Sequence, residues 1–213
     1  MKNTAEKSVT EVRIVEAAVQ LFSRQGYKGT STREIASLAG VNEATVFRYF
    51  ARKTDLFWAA AESRLNRLKL SRELQNGLAT DLDPEVVLPM LVDFVVKEIS
   101  GDSELMRLLY VAGFEFSGSK RMFREHLGPI FDAVNAYFSR CVARGVICDA
   151  EPTFATLGLA GAVAAHCNLH QLFTGRDLPV DTRAFAPAYA QFWLNALRRP
   201  VPEIHGAASV NEA

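Results

Sequence analysis

Cysteine is scarce in this chain and forms no framework. Cys141, Cys148 and Cys167 are odd in number and include no Cys-x-x-Cys pair, which excludes a disulfide scaffold. Long apolar runs are missing too: none approaches the roughly 20 residues that span a bilayer. The opening stretch, MKNTAEKSVTE, is polar and holds no apolar signal core. These absences point to a reducing, cytoplasmic setting without a membrane partner. Recognisable catalytic loops are absent as well. There is no Gly-x-Ser-x-Gly and no His-Glu-x-x-His, and GYKGTS (26–31) has the wrong spacing and a misplaced Lys for a phosphate loop. The reading is a protein that is not an enzyme and carries no cofactor or metal.

An excess of one charge is also lacking: 24 Lys and Arg balance 24 Asp and Glu. The balance hides an asymmetry. Residues 1–53 hold nine basic and five acidic side chains, so the remainder holds fifteen and nineteen. A basic head on an acidic body is what phosphate contact by one end requires.

Within that head, STREIASLAGVNEATVFRYF (31–50) reads as two short helices around a tight turn. Ser31 caps the first helix, and Glu34 three residues on completes a capping box. Ile35, Leu38 and Ala39 supply its apolar stripe. Gly40 takes the turn with positive φ. Asn42 caps the second helix, in which Val46 and Phe50 pack back on the first with Val41 and Phe47 close by. Glu43, Ala44, Thr45, Arg48 and Tyr49 are left on or near the outer face. This is the helix-turn-helix pattern of DNA binding; on spacing alone it is equally a pair of amphipathic helices in an ordinary all-α protein.

The flanks add to it. Ile14, Ala17, Ala18, Leu21 and Phe22 are followed by Gly26-Tyr27, Thr30, Arg33-Glu34-Ile35-Ala36, Ala39-Gly40-Val41, Thr45, Phe50, Lys53 and Leu56. In this ordered set residues 13–56 resemble the N-terminal domain of the TetR family of bacterial transcriptional regulators. The resemblance implies an all-α fold: a flexible arm (1–9), a three-helix DNA-binding domain (10–55), a helical effector-binding and dimerisation domain (56–200) and a flexible tail (201–213). It also implies that residues 43–49 read DNA. Three positions depart from the family pattern. Phe47 stands where Tyr is usual, Tyr49 where His is frequent, and Arg52 where a capping Ser, Asp or Asn is common.

The DNA-contact set follows. Ser31, Thr32 and the N–H groups of their helix make a phosphate clamp. Arg33 reaches phosphate or a base edge. Asn42, Glu43, Ala44, Thr45, Phe47 and Arg48 face the bases; Arg48 suits guanine or a phosphate, and Ala44 a thymine methyl. Tyr49 takes over a phosphate contact that Phe47 lacks the hydroxyl to make, and Lys53 contacts phosphate outside the motif.

The remaining periodicity is helical throughout. The first helix spans 10–25, with Val12, Val15, Ala18, Val19 and Phe22 inside and Gly26 ending it. The fourth runs from Lys53 to about Leu74, with Leu56, Phe57, Ala60, Ser63, Leu65 and Leu68 inward and Asn76-Gly77 breaking it. Asp83-Pro84 opens the next (84–99), which Pro89 bends or shifts. Helices over 103–116, 119–144 (broken at Gly128-Pro129, closed by Gly145), 151–173 and 182–198 complete the body.

Small residues on the fourth body helix, with Phe154, Gly158 and Ala162, face large ones on the last, Phe185, Tyr189, Phe192 and Trp193. Periodicity leaves two readings, a dimer face or internal packing; the resemblance implies a homodimer. Tyr110, Phe114, Phe131, Tyr137 and Phe138 are plain core or the lining of a small-molecule effector pocket, with His166 as a polar contact. The resemblance favours the pocket and an apolar or aromatic effector. A His166–His170 metal pair lacks a fourth ligand, and a Cys141–Cys148 switch has nothing beside it to lower a pKa. The reading is therefore a dimeric repressor of double-stranded DNA, released by an effector. The rivals are a helical ligand-binding protein with a degenerate head and an all-α enzyme using the body pocket.

Overall fold

The structure is a computed structural model that describes residues 8–100, 102–148, 151–174 and 182–198, without the side chains of 99–100, 166–174, 182–185 and 198. Among the described residues it is all-α, and no helix is long and apolar enough to cross a membrane.

Helix α1 (Val9–Gly29) starts at Ser8, whose hydroxyl accepts from the Glu11 N–H at 3.2 Å. Ile14, Val15, Ala18, Val19 and Phe22 form its buried face. Val12, expected there, is 44% exposed. Gly26 leaves the helix at φ 72, as expected, before one more turn to Gly29.

Helices α2 (Thr32–Ala39) and α3 (Glu43–Tyr49) follow, then α4 (Lys53–Leu65). The stripe of α2 is Ile35, Ala36 and Ala39, while Leu38 is exposed. Helix α4 ends nine residues short of the expected Leu74. Its last turn tightens through Arg67 N–H to Arg64 C=O and Leu68 N–H to Leu65 C=O, both 3.0 Å. Ser71 then caps a separate helix α5 (Arg72–Ala79) by accepting from Leu74 N–H at 3.1 Å. A good N-cap, worth about 1 kcal/mol, outweighs continuation of the apolar stripe. The buried α4 positions include Arg64, whereas Ser63, expected inside, is only half-buried. Gly77 does not break a helix. It lies inside α5 because α6 passes so close that a Cβ there would meet Val87 Cγ2 at 3.2 Å.

Helix α6 (Pro84–Phe94) is capped by Asp83 and holds Pro89 inside it; regular geometry gives way to a π turn at Val95–Ser100. Asp102 caps α7 (Ser103–Glu115). A short α8 (Ser119–Met122) passes through a second π turn, Phe123–Leu127, into α9 (Gly128–Ala143). Gly145, at φ 69, closes α9 with its N–H on Val142 C=O at 2.9 Å. Helices α10 (Pro152–Thr174) and α11 (Thr182–Arg198) end the described chain.

Two apolar cores result. One gathers α1–α4 around Phe22, Ile35, Val46, Leu56 and Phe57, and takes in Leu105, Leu108 and Ala112 of α7. The other joins α5, α6, α9, α10 and α11 around Leu88, Val92, Tyr137, Phe138, Leu159 and Leu194. Each fully buried Phe or Leu contributes about 1.5–3 kcal/mol, so both cores are substantial. Helix α7 comes late in the chain yet packs with the head.

Candidate nucleic-acid interface

Local chemistry builds α3 and the turn that leads into it. Ser31 Oγ accepts from Glu34 N–H at 3.2 Å while Glu34 Oε2 accepts from Ser31 N–H at 2.8 Å and from Ser31 Oγ at 2.7 Å. These bonds, side chain first, hold the Glu34 carboxyl below its usual range. Gly40, at φ 67 and ψ 40, turns the chain, with Val41 N–H on Ala36 C=O at 3.0 Å. From α1, the Arg13 guanidinium donates to the Ala39 and Gly40 carbonyls, filling the space a Cβ at 40 would need. Asn42 Oδ1 then accepts from both the N–H and the hydroxyl of Thr45 at 2.7 Å.

Val46, 1% exposed, anchors α3 to the core. Ala44 and Arg48 are thereby exposed, and Glu43, Thr45 and Tyr49 half-buried. Phe47, expected close to the inward stripe and also among the DNA-facing residues, is 48% exposed and joins the outer face. Asn42, Ser31 and Arg33 are exposed at the rim, and Thr32 is half-buried. The Thr32 hydroxyl donates to Glu43 Oε1 at 2.5 Å, tying the start of α2 to the start of α3.

Tyr49 lies at the far end of α3. Ser8 Oγ donates to its hydroxyl at 3.0 Å, and the Arg48 guanidinium sits 5.4 Å from its ring centre. The Ser8 bond and then Arg48 pull its pKa below the ordinary phenol range. Lys53 Nζ stands 4.3 Å over the Tyr27 ring. Burial lowers its pKa, against the pull of Glu115 and Glu34. The Arg52 side chain makes no cap, as expected. Its guanidinium instead grips Asp55 at 2.7 and 3.1 Å, and Asp55 accepts from Arg52 N–H. Arg13 and Ser8 escaped the sequence reading. Ser-Val-Thr-Glu (8–11) carries the Ser-x-x-Glu signal that marks Ser8; Arg13 has no local signal.

The expected pocket aromatics do not converge. Tyr137 and Phe138 are each 1% exposed in the body core, with the Tyr137 hydroxyl donating to Leu82 C=O at 2.9 Å. Phe114 is 88% exposed, because α7 turns its other side to the head. Tyr110 lies in a shallow groove with Met122 and Phe123. Phe131 alone of the set lines a small apolar cavity of about 40 Å³, between Leu91, Phe94, Val95, Val134, Leu159 and Thr156. Thr156 Oγ1 is buried there with no hydrogen-bond partner among the described residues. The side chain of His166 lies outside the described residues, as do those of His170, Cys167 and Phe185.

On α10 and α11, Phe154, Leu157 and Phe192 are 73%, 53% and 64% exposed. Gly158 seats the Trp193 ring within the chain, a Cβ there falling 3.0 Å from it. Ala162 and Tyr189 are half-buried.

Residues 14–60 match the family model described as bacterial regulatory proteins, tetR family. The chain is 40% identical over 74 residues to the uncharacterized HTH-type transcriptional regulator YvkB of Bacillus subtilis, covering 34% of this chain and 39% of that protein's length. It is 28% identical over 166 residues to the HTH-type transcriptional repressor SCO4008 of Streptomyces coelicolor, covering 75% and 78% of the two chains. The fold superposes on AibR, solved in complex with isovaleryl coenzyme A and operator DNA, with a TM-score of 0.66 over 90% of this chain and 100% of the other at 19% identity.

Proposed function

The chain belongs to the TetR family of bacterial regulatory proteins, and from that premise we propose that it is a dimeric, sequence-specific DNA-binding regulator, a repressor released by a small apolar effector. The observation that carries this reading is α3 itself. It is anchored by Val46, capped by Asn42, and presents Ala44, Phe47 and Arg48 to solvent.

The reading helix enters the major groove N-terminus first. Thr45 and Arg48 meet base edges, and Ala44 lets the backbone approach. Ser31, the α2 N-terminus, Tyr49 and Lys53 bear on phosphates. Thr32 contributes through its N–H, since its hydroxyl proton is given to Glu43. The exposed Phe154, Leu157 and Phe192 support a dimer face on α10 and α11. A dimer sets two heads about 34–36 Å apart, one turn of duplex. The cavity at Phe131 and Thr156 supports an apolar effector with one hydrogen-bonding group, and its binding shifts the population away from the DNA-bound spacing. That SCO4008 is a repressor, and that AibR binds both isovaleryl coenzyme A and operator DNA, supports a regulator that answers to a ligand.

An apolar, exposed Phe47 where the family has a hydroxyl favours a second reading, a head that no longer binds DNA specifically. One experiment separates them: selection of bound duplexes from a random pool, with the wild type and with Arg48→Ala/Lys53→Ala. A palindrome enriched by the wild type alone establishes the regulator. No enrichment at low salt from a folded dimer overturns it.

A further inference from the structure

We propose that Arg64 is the positioning residue that welds α7 to the DNA-reading head, so that the unit moving against the body is the head plus α7. The inference rests on the proposed regulatory role and names the part through which regulation passes.

Arg64 is 6% exposed although it is charged, so its partners define it. Its Nη2 donates to Glu16 Oε2 of α1 at 2.9 Å and to Glu104 Oε2 of α7 at 2.7 Å. Asp102, the cap of α7, stands 4.0 Å from its Nε. Arg64 Nη1 also donates to Glu16 Oε1 at 3.4 Å, and Arg67 adds a third bond to Glu16 at 2.7 Å. One guanidinium on α4 thus holds both α1 and the first turn of α7. The other end of α7 is held by rings. Phe116 lies 4.7 Å from Tyr27, 4.7 Å from Phe57 and 5.2 Å from Trp58, centre to centre. Between these clamps Leu105, Leu108 and Ala112 share the head's core.

Among the described residues the chain passes between the two cores three times. The first passage is the irregular segment 66–71, the second runs through the π turn Val95–Ser100, and the third is the junction of the π turn Phe123–Leu127 with α9, where Leu127 and Phe131 pack on the head core and Ile130 and Val134 on the body core. Turns of π-helix are rare and frequently lie at functional sites. The cavity touches the second and third passages: Val95 opens the first π turn, and Ile130, Phe131 and Val134 lie in the first turns of α9. An occupant that spreads these walls therefore acts on two of the three passages. The Arg64 clamp then delivers the displacement to α1 and α4, and through them to α3.

Two measurements on the full chain test this. Native-state hydrogen exchange reads the welding without DNA. In the wild type, α7 amides open with those of α1 and α4; Glu104→Ala speeds exchange in all three about tenfold or more, and leaves α9 and α11 unchanged. Exchange of α7 in step with α6 and α9 overturns the proposal. The second measurement is a double-mutant cycle on a duplex recovered by the selection above. Ala160→Phe fills the cavity and weakens binding by about fivefold or more, a typical allosteric coupling. With Arg64→Met the same filling has less than about twofold effect, and Arg64→Lys restores part of the coupling. Equal effects of Ala160→Phe in both backgrounds overturn the role of Arg64; so do equal effects of Ala160→Leu, tried if Ala160→Phe does not fold. If the wild type recovers no duplex, the regulator reading fails, and the exchange result still decides which core α7 belongs to.

Discussion

The Thr32 hydroxyl and the Glu43 carboxylate meet at 2.5 Å, joining the first turns of the two helices that make the DNA-reading motif. The contact fixes the motif's internal angle with an acidic group on the face proposed to approach phosphate. Glu43→Gln keeps an acceptor for Thr32 and removes the charge. A unit charge near the surface is worth about 1 kcal/mol at close range, so duplex affinity at low salt rises about fivefold, measured by fluorescence anisotropy.

Lys53 is held over Tyr27 rather than free in solvent, which fixes where its charge sits beside the motif. Lys53→Ala lowers affinity uniformly across duplex sequences. It also flattens the plot of log affinity against log salt by about one unit of slope, one phosphate contact.

Gly40→Ala destabilises the head. The left-handed conformation at 40 costs an alanine about 1–2 kcal/mol, and its Cβ evicts Arg13 from the α2 carbonyls as well. The urea midpoint, followed through Trp58 fluorescence in a Trp193→Phe background, falls accordingly. Gly113→Ala, open on all sides with ordinary φ inside α7, does not lower it and raises it slightly, by the helix preference of alanine over glycine.

Acid weakens the same head. Glu34 is held low by its bonds from Ser31, and Asp55 by Arg52. A carboxylate whose folded pKa is depressed contributes stability above its unfolded pKa of about 4. That contribution is lost as pH falls through the folded value. The Trp58 midpoint therefore drops from about pH 4 downward, and Ser31→Ala removes the larger, side-chain part of the Glu34 share while the bond from the backbone N–H at 31 stays. Both groups are at the surface, so the effect shrinks with added salt.

Phe192→Asp places a charge on the exposed face of α11. Sedimentation equilibrium is expected to show a folded monomer in place of the dimer proposed for the wild type. Duplex affinity falls steeply, because one head alone reaches a single half-site.

What was legible in the sequence is what short-range chemistry decides. Ser31 with Glu34, Gly40, Asn42 and Asp83-Pro84 all act within four residues, and each stands where its local pattern put it. Elements failed where two local signals competed or a distant helix intervened. Ser71 ended the run that Leu65 and Leu68 continue, and Gly77 answers to Val87 rather than to its own helix. Periodicity finds an apolar stripe but not which neighbour covers it. Hence Tyr137 lies in the core while Phe114 points to solvent, and Phe47 faces outward beside Val46. Arg13, the Ser8–Tyr49 bond and the Arg64 node join residues 26 to 48 positions apart, beyond the reach of any spacing rule.

The sharing of one core by α1–α4 and α7 has a consequence for modularity. A fragment cut after α4 would expose the apolar faces that Leu105, Leu108 and Ala112 cover, and strand Arg64 beside Glu16 alone. The portable piece of this protein is therefore discontinuous. A chimera that grafts the head onto another protein must carry α7 with it, so that Glu16, Arg64 and Glu104 travel together.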